Sequence, residues 1–182
     1  MKIRTRTCVS LDGYVTTPDG WPVQLSDPDF VPGESYGFPE FQQRCDAVLM
    51  GRTTFEPALG AERWPWPGMD VFVLASGRPA GTPHHVVTDS DPVRLLDKVR
   101  DSNRGGDVHL VGGPRTIETY RALGVLDKLG VIVLPLLVGD GMRLTPAVST
   151  GIGLTLESER ALPGGSVEIT YAVRNDAGDA AR

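Results

Sequence analysis

The sequence predicts an α/β fold: a mixed, mostly parallel sheet with helices beside it, closed by a C-terminal antiparallel hairpin. Two observations carry this. Short apolar runs alternate with helical patterns through the first two thirds of the chain, ending in glycine at Gly51 and Gly112. Near the end, two alternating stretches flank Pro163-Gly164-Gly165, the signature of a hairpin.

The first strand is Ile3 to Ser10, with Ile3, Thr5, Thr7 and Val9 on one side and Arg4, Arg6, Cys8 and Ser10 on the other. Asp12-Gly13 turns it. Thr17 to Gly37 is a long loop rich in Pro, Gly and Asp, carrying Trp21, Phe30 and Tyr36. Loops of that length in a compact domain are usually functional or mobile, and the aromatics imply that parts of it pack. A short helix follows over Pro39 to Arg44, then the buried strand Ala47 to Met50 and a turn into a helix at Gly51-Arg52-Thr53-Thr54. Trp64-Pro65-Trp66-Pro67 is stiff and not helical. Val71 to Leu74 is a third buried strand, with Ser76 and Arg78 just beyond it. Val86-Val87 reads as a short strand, and Pro92 to Arg100 as an amphipathic helix with Asp91 near its start.

Val108 to Val111 then forms a strand leading into Gly112-Gly113-Pro114, and a helix runs from there to about Leu123, before Gly124. Proline suits the first helical position. The free N–H groups of Arg115 and Thr116, backed by the helix dipole, offer a place for an anion. A tight connection with no ligand is the competing reading of this turn, which is not GxGxxG. Lys128 to Val138 reads as a buried strand kinked or bulged at Pro135, and Leu154 to Ser158 and Val167 to Val173 as the hairpin. Asn175 to Arg182 reads as a disordered tail, which leaves residues 1–174 as a single domain.

Composition narrows the function. With 182 residues, 40% hydrophobic and 23% charged, the chain is long enough for a sizeable core. A net charge of -5 gives no general attraction to nucleic acid. No run is long and apolar enough for a membrane span or a signal peptide, so a cytoplasmic protein is expected. Cys8 and Cys45 are too few for a disulfide framework, and His84, His85 and His109 show no zinc-site spacing, so no metal is expected. In open sheets ligands bind at the carboxyl ends of strands. Gly51 to Thr54, Ser76 to Arg78 and Gly112 to Thr116 all lie there, and three turns of matching polarity point to a phosphate-rich dinucleotide.

These residues also resemble a family. Ser10-Leu11-Asp12-Gly13, Leu49-Met50-Gly51-Arg52-Thr53-Thr54-Phe55-Glu56, Val111-Gly112-Gly113 and Leu134-Pro135-Leu136-Leu137-Val138-Gly139-Asp140-Gly141 follow the order found in the dihydrofolate reductase-like superfamily. The branch they are most similar to is the reductase domain of the bacterial riboflavin-biosynthesis deaminase-reductase and its stand-alone relatives. The resemblance implies a three-layer αβα fold and NADPH as cofactor. By motif position it implies that Gly51, Arg52, Thr53, Thr54, Gly112, Gly113, Arg115 and Thr116 hold the pyrophosphate and that Ser76 and Arg78 hold the ribose phosphate. It also implies that Thr7, Cys8, Val15 and Val111 lie beside the nicotinamide. An arginine at the far phosphate favours NADP over NAD.

The implied chemistry is hydride transfer to a C=N or C=O bond of a small heterocycle, pterin- or pyrimidine-like, by an NADPH-dependent oxidoreductase. The catalytic acid of dihydrofolate reductases has no counterpart at matching spacing, which leaves Asp27 or, as the candidate substrate residue, Asp29. Arg6 stands where riboflavin-type reductases carry lysine, and either meets an anionic substrate group or lies at a surface or subunit interface. Trp21 either lines the substrate pocket or pins the loop. These 182 residues carry no deaminase zinc motif, so reduction of a ribosylamino-pyrimidine is the less expected reaction. The alternative from another class is a non-catalytic NADP-binding sensor or dimeric protein on the same fold. By analogy a homodimer is plausible, with the apolar run from Val131 to Val138 exceeding the needs of one core.

Overall fold

The computed structural model describes residues 1–145 and 151–174, and the tail at 175–182 lies outside them. Eight strands form one sheet in the order β4-β3-β2-β5-β1-β6-β8-β7. In chain order the elements are β1 (Ile3–Ser10), α1 (Phe38–Gln42), β2 (Cys45–Gly51), α2 (Arg52–Phe55), β3 (Asp70–Leu74), β4 (Val87–Asp89), α3 (Pro92–Ser102), β5 (Asp107–Leu110), α4 (Pro114–Ala122), β6 (Lys128–Leu134), β7 (Leu154–Ala161) and β8 (Val167–Val173). The first six strands of that order run parallel, and β8 and β7 close the sheet antiparallel. The α/β class and the C-terminal hairpin expected from the sequence are therefore what the chain adopts.

The two faces of the sheet follow from the alternation in β1. Ile3 packs with Val108 and Leu110 of β5, with Leu95, Leu96 and Val99 of α3, and with Ile117 and Tyr120 of α4. That is the face of the odd-numbered β1 residues. On the other face, Val48, Met50, Val71 and Val73 pack with Phe55 of α2 and Trp66. There too Cys8 meets Val23, Ile132, Leu134, Tyr36 and Phe38. The segment between β1 and β2 is thus a cover for that face.

Local rules explain the boundaries. Asp91 caps α3 by accepting from the Val93 and Arg94 N–H groups at 2.8 and 3.1 Å. Gly124 ends the turn after α4 at φ +69°, a left-handed conformation open to glycine. One expectation is corrected. The strand after α4 stops at Leu134, because Pro135 has no N–H for the ladder and Leu136 turns back to donate to the Leu134 carbonyl at 2.8 Å. The 17–37 loop holds 3-10 turns at Val23–Ser26 and Ser35–Gly37, and it packs in part, with Val23 fully buried.

Candidate functional site

The site is built where β2 and β5 end side by side. Leu49 pairs with Leu110, and the Val111 N–H donates to the Leu49 carbonyl at 2.8 Å, so Gly51 and Gly112 leave the sheet abreast. Each turn then leans on the other. A side chain at Gly51 would place its Cβ 2.6 Å from Thr116 Oγ1, and one at Gly112 would meet Thr54 Oγ1 at 3.0 Å. Gly112 also has φ +139°, where a side chain is strained whatever the space. The two glycines are needed first so that each turn can receive the other's threonine. Around Gly113, by contrast, a Cβ would meet nothing within 4 Å, so the mouth of the paired turns is open.

The helices behind these turns are unequal. α2 is a single turn of four residues continued by a 3-10 segment, so it adds little dipole at Gly51. α4 has nine residues and starts at Pro114 as expected. Of the two N–H groups expected to be free, that of Thr116 donates to the Gly113 carbonyl at 3.0 Å. Arg115 precedes the hydrogen-bond ladder of the helix and keeps its side chain exposed. Arg52 is exposed and pairs with Glu56 one turn on, at 2.8 Å. Thr53 is exposed and Thr54 half-buried in the seam.

Beyond β3, Ser76 is exposed, and Arg78 spends its guanidinium on the next loop. Its Nη1 donates to the Val86 carbonyl at 2.9 Å, and its Nη2 to the carbonyls of Pro83 at 2.6 Å and Thr82 at 3.4 Å. Of the five N–H donors of an arginine, two are left by these bonds. Trp64 packs edge-on against His85 at 5.5 Å beside this loop, an aromatic wall that strand and turn patterns did not reveal.

The four residues placed beside the nicotinamide divide between the faces. Cys8 and Val111 lie on the α1–α2 side, where Cys8 is 3% exposed and burial pushes its thiol up to about 12. Thr7 and Val15 belong to the opposite side, where Val15 packs with Val9 and Val131. Only their main chain is shared with the Cys8 face.

On that face the structure redistributes the polar candidates. Asp29 is exposed, and its N–H donates to Asp27 Oδ1 at 3.0 Å. Asp27 is the carboxylate turned inward: it accepts from the Tyr36 hydroxyl and acts electrostatically on the Cys8 thiol. Burial first, and then this bond to Asp27, push the Tyr36 phenol upward. Trp21 is 63% exposed, and only its backbone is tied down, its N–H donating to Thr17 Oγ1 at 3.2 Å. Arg6 is buried within the chain and not on its surface. It is 5% exposed, its Nε pairs with Glu168 at 2.6 Å, its Nη2 donates to the Tyr36 carbonyl, and it stacks on Phe38 at 4.7 Å. Burial would raise the Glu168 carboxyl, but hydrogen bonds from Arg6 and Arg160 outweigh it and hold it below the usual range. The charge of Arg6 is thereby met inside the chain, tying β1 to β8 and the cover.

Asp12 ties the first turn to the one after β6. It accepts from Gly139 at 2.8 Å and from Val138 at 3.3 Å. The Ser10 hydroxyl first, then these N–H groups, hold its carboxyl below the usual range. Among the described residues no cluster of histidine, cysteine, aspartate and glutamate could hold a metal ion, and no helix is long and apolar enough to cross a membrane.

Comparison with known proteins places this geometry. The family described as the RibD C-terminal domain matches residues 1–167. The uncharacterized protein YyaP of Bacillus subtilis is 26% identical over 179 residues, covering 90% of each chain. Among solved structures, one from Shewanella sp. PV-4, named for riboflavin biosynthesis, superposes with a TM-score of 0.80 at 22% identity over 96% of this chain and 99% of its own. The deaminase/reductase of Thermotoga maritima superposes with a TM-score of 0.69 at 12% identity; the match covers 95% of this chain and 56% of that one.

Proposed function

The chain belongs to the RibD C-terminal domain family, and from that premise we propose that it is an NADPH-dependent reductase of a small pterin- or pyrimidine-like heterocycle. The observation that carries the reading is the pair of glycine turns, Gly51 and Gly112, abreast on neighbouring strands with their side-chain space filled by Thr116 and Thr54. They keep an unobstructed mouth at Gly113, at the carboxyl ends of parallel strands, where ligands of such sheets bind.

When bound, NADPH supplies the hydride for a C=N or C=O bond. The residues of the chain do the rest. Arg52 and Thr53 on one turn, with Gly113 and Arg115 on the other, take the diphosphate, and Thr54 and Thr116 hold the two turns in register. Ser76 and the donors left on Arg78 take the ribose phosphate, with Arg78 already fixed by its loop carbonyls, so little side-chain freedom is lost on binding. Cys8 and Val111 give the reacting end a dry wall. Asp27, which accepts from the Tyr36 hydroxyl, takes the proton-handling role the sequence left between Asp27 and Asp29.

The test is loss of NADPH absorbance with a panel of oxidised pterins and aminopyrimidines. Turnover of at least one is expected. Asp27→Asn should lower kcat by roughly 10²-fold with the NADPH Kd unchanged, whereas Asp29→Asn should leave both alone. Tight NADPH binding without turnover of any substrate would favour the sensor reading instead.

A further inference from the structure

Charge is divided unequally between the two ends of the candidate site. The three turns assigned to the cofactor each carry an arginine: Arg52, Arg78 and Arg115. The 17–42 cover carries none. Between Arg6 and Arg44 the chain has no lysine or arginine, while the cover holds Asp19, Asp27, Asp29, Glu34 and Glu40. The cations that reach the cover from other elements are already matched. Arg6 of β1 and Arg160 of β7 both pair with Glu168 of β8, each at 2.6 Å. Arg160 also lies beside Glu40, since a Cβ at Gly37 would be 3.3 Å from Arg160 Nη2 and from Glu40 Oε2. Arg4, stacked on Phe41, pairs with Asp107 at 3.0 Å. At the first turn Arg143 lies over the Tyr14 ring at 4.5 Å and donates to the Tyr14 hydroxyl at 3.0 Å and the Asp12 carbonyl at 3.4 Å. Among the described residues none of Asp19, Asp27, Asp29 and Glu34 forms an ion pair. Asp27 is met by neutral donors, the Tyr36 hydroxyl and the Asp29 N–H.

We infer that the substrate end of the site selects against anions: the ring reduced here is uncharged or protonated and bears no phosphate or carboxylate group. The inference rests on the reductase reading, in which the ring lies between the Cys8 wall and the cover. Carboxylates without cations on one cover set up a negative potential, which raises the local concentration of cations and lowers that of anions. Asp27 and Asp29 both act on the Tyr36 phenol, and Asp27 acts on the Cys8 thiol, so the field reaches the wall itself. A phosphorylated substrate is normally met by arginine or lysine, arginine offering a fork of donors. Arg6 is the buried cation under the cover, and its Nε and Nη2 are spent on Glu168 and the Tyr36 carbonyl. It can turn toward a phosphate only by giving up Glu168. The turns at the other end do the reverse and present arginine to the anions of the dinucleotide. The site thus sorts its two reactants by charge, phosphates toward the turns and the ring toward the carboxylates.

The test is equilibrium binding of a matched pair, pterin and pterin-6-carboxylate, to the full chain saturated with NADP, read by ligand fluorescence. At low salt pterin should bind roughly tenfold more tightly than its carboxylate. The gap should close at about 1 M salt, where the screening length is about 3 Å. The double variant Asp19→Lys/Glu34→Lys changes two exposed residues outside the assigned machinery and should narrow the gap at low salt with the pterin Kd unchanged. A second readout needs no substrate. Caesium ion should quench Trp21, 63% exposed on the cover, more strongly than iodide does, each relative to free tryptophan and after subtraction of the Trp21→Phe protein. Equal binding of the two pterins, binding of neither, a preference for the carboxylate, or stronger quenching by iodide overturns the inference. A gap that ignores salt also overturns it, since shape and not charge would then set the preference. Failure of NADP to bind at all sinks the reductase reading instead, and the quenching order still reports the charge of the cover.

Discussion

At the scale of single residues, His109 gives the sharpest consequence. It is fully buried in β5, edge-on to Phe41 at 4.7 Å, and burial holds its imidazole down at about 3. A histidine kept neutral in the native state binds a proton more readily once unfolded. Stability is therefore complete above the ordinary histidine range and falls as pH drops from about 6.5 toward 3. Between pH 7 and pH 5 the loss assigned to His109 is about 2 kcal/mol. Urea unfolding of wild type and His109→Gln at both pH values checks it: the variant should lose less by about that amount, and equal losses would contradict the buried neutral imidazole. Little of this was legible beforehand. The residue type at position 109 was visible, but its environment depends on Phe41, which is far away in sequence. The same holds for Arg6, whose partner Glu168 lies on β8, and for the choice between Asp27 and Asp29, which turns on the Tyr36 hydroxyl.

At the scale of elements, the turns after β2 and β5 behave as one device. Because Thr116 Oγ1 is the atom that would meet a Cβ at Gly51, while its Cβ lies at 3.9 Å, Gly51→Ala and Thr116→Ala should couple. Gly51→Ala alone should lower stability by about 1–3 kcal/mol, as overpacking does. Adding Thr116→Ala should restore at least half of that loss, as read by thermal unfolding of the four members of the cycle. Strictly additive losses would show that the two turns do not lean on each other. The positions of these turns were readable from apolar runs ending in glycine, since that pattern is local. That each glycine accommodates the opposite threonine was not, because it requires the register of two strands separated by about sixty residues. The early stop of β6 was half visible: Pro135 marked an irregularity, but only the bond from Leu136 back to Leu134 shows that the ladder ends there.

At the scale of the whole molecule, parallel strands with a closing hairpin were legible because strand–turn–helix units repeat along the chain. Which strands neighbour one another was not, since that is fixed by strand order. The strand order also sets what the 17–42 cover meets: Cys8 of β1 with Ile132 and Leu134 of β6, packed under Val23, Tyr36 and Phe38.

The central claim is that the paired glycine turns receive a phosphorylated dinucleotide, and thermal unfolding with NADPH, NADP, NADH or NAD tests it most directly on wild type and Gly112→Ala. A ligand at about 100 times its Kd adds roughly 2.7 kcal/mol, a rise of some 5–11 °C for a chain of this length. The expected result is a rise of that size with NADPH and NADP, a much smaller one with NADH and NAD, and none with Gly112→Ala, whose side chain would strain the turn and push Thr54 aside. A well-folded wild-type protein whose melting temperature is unmoved by all four nucleotides would contradict the claim.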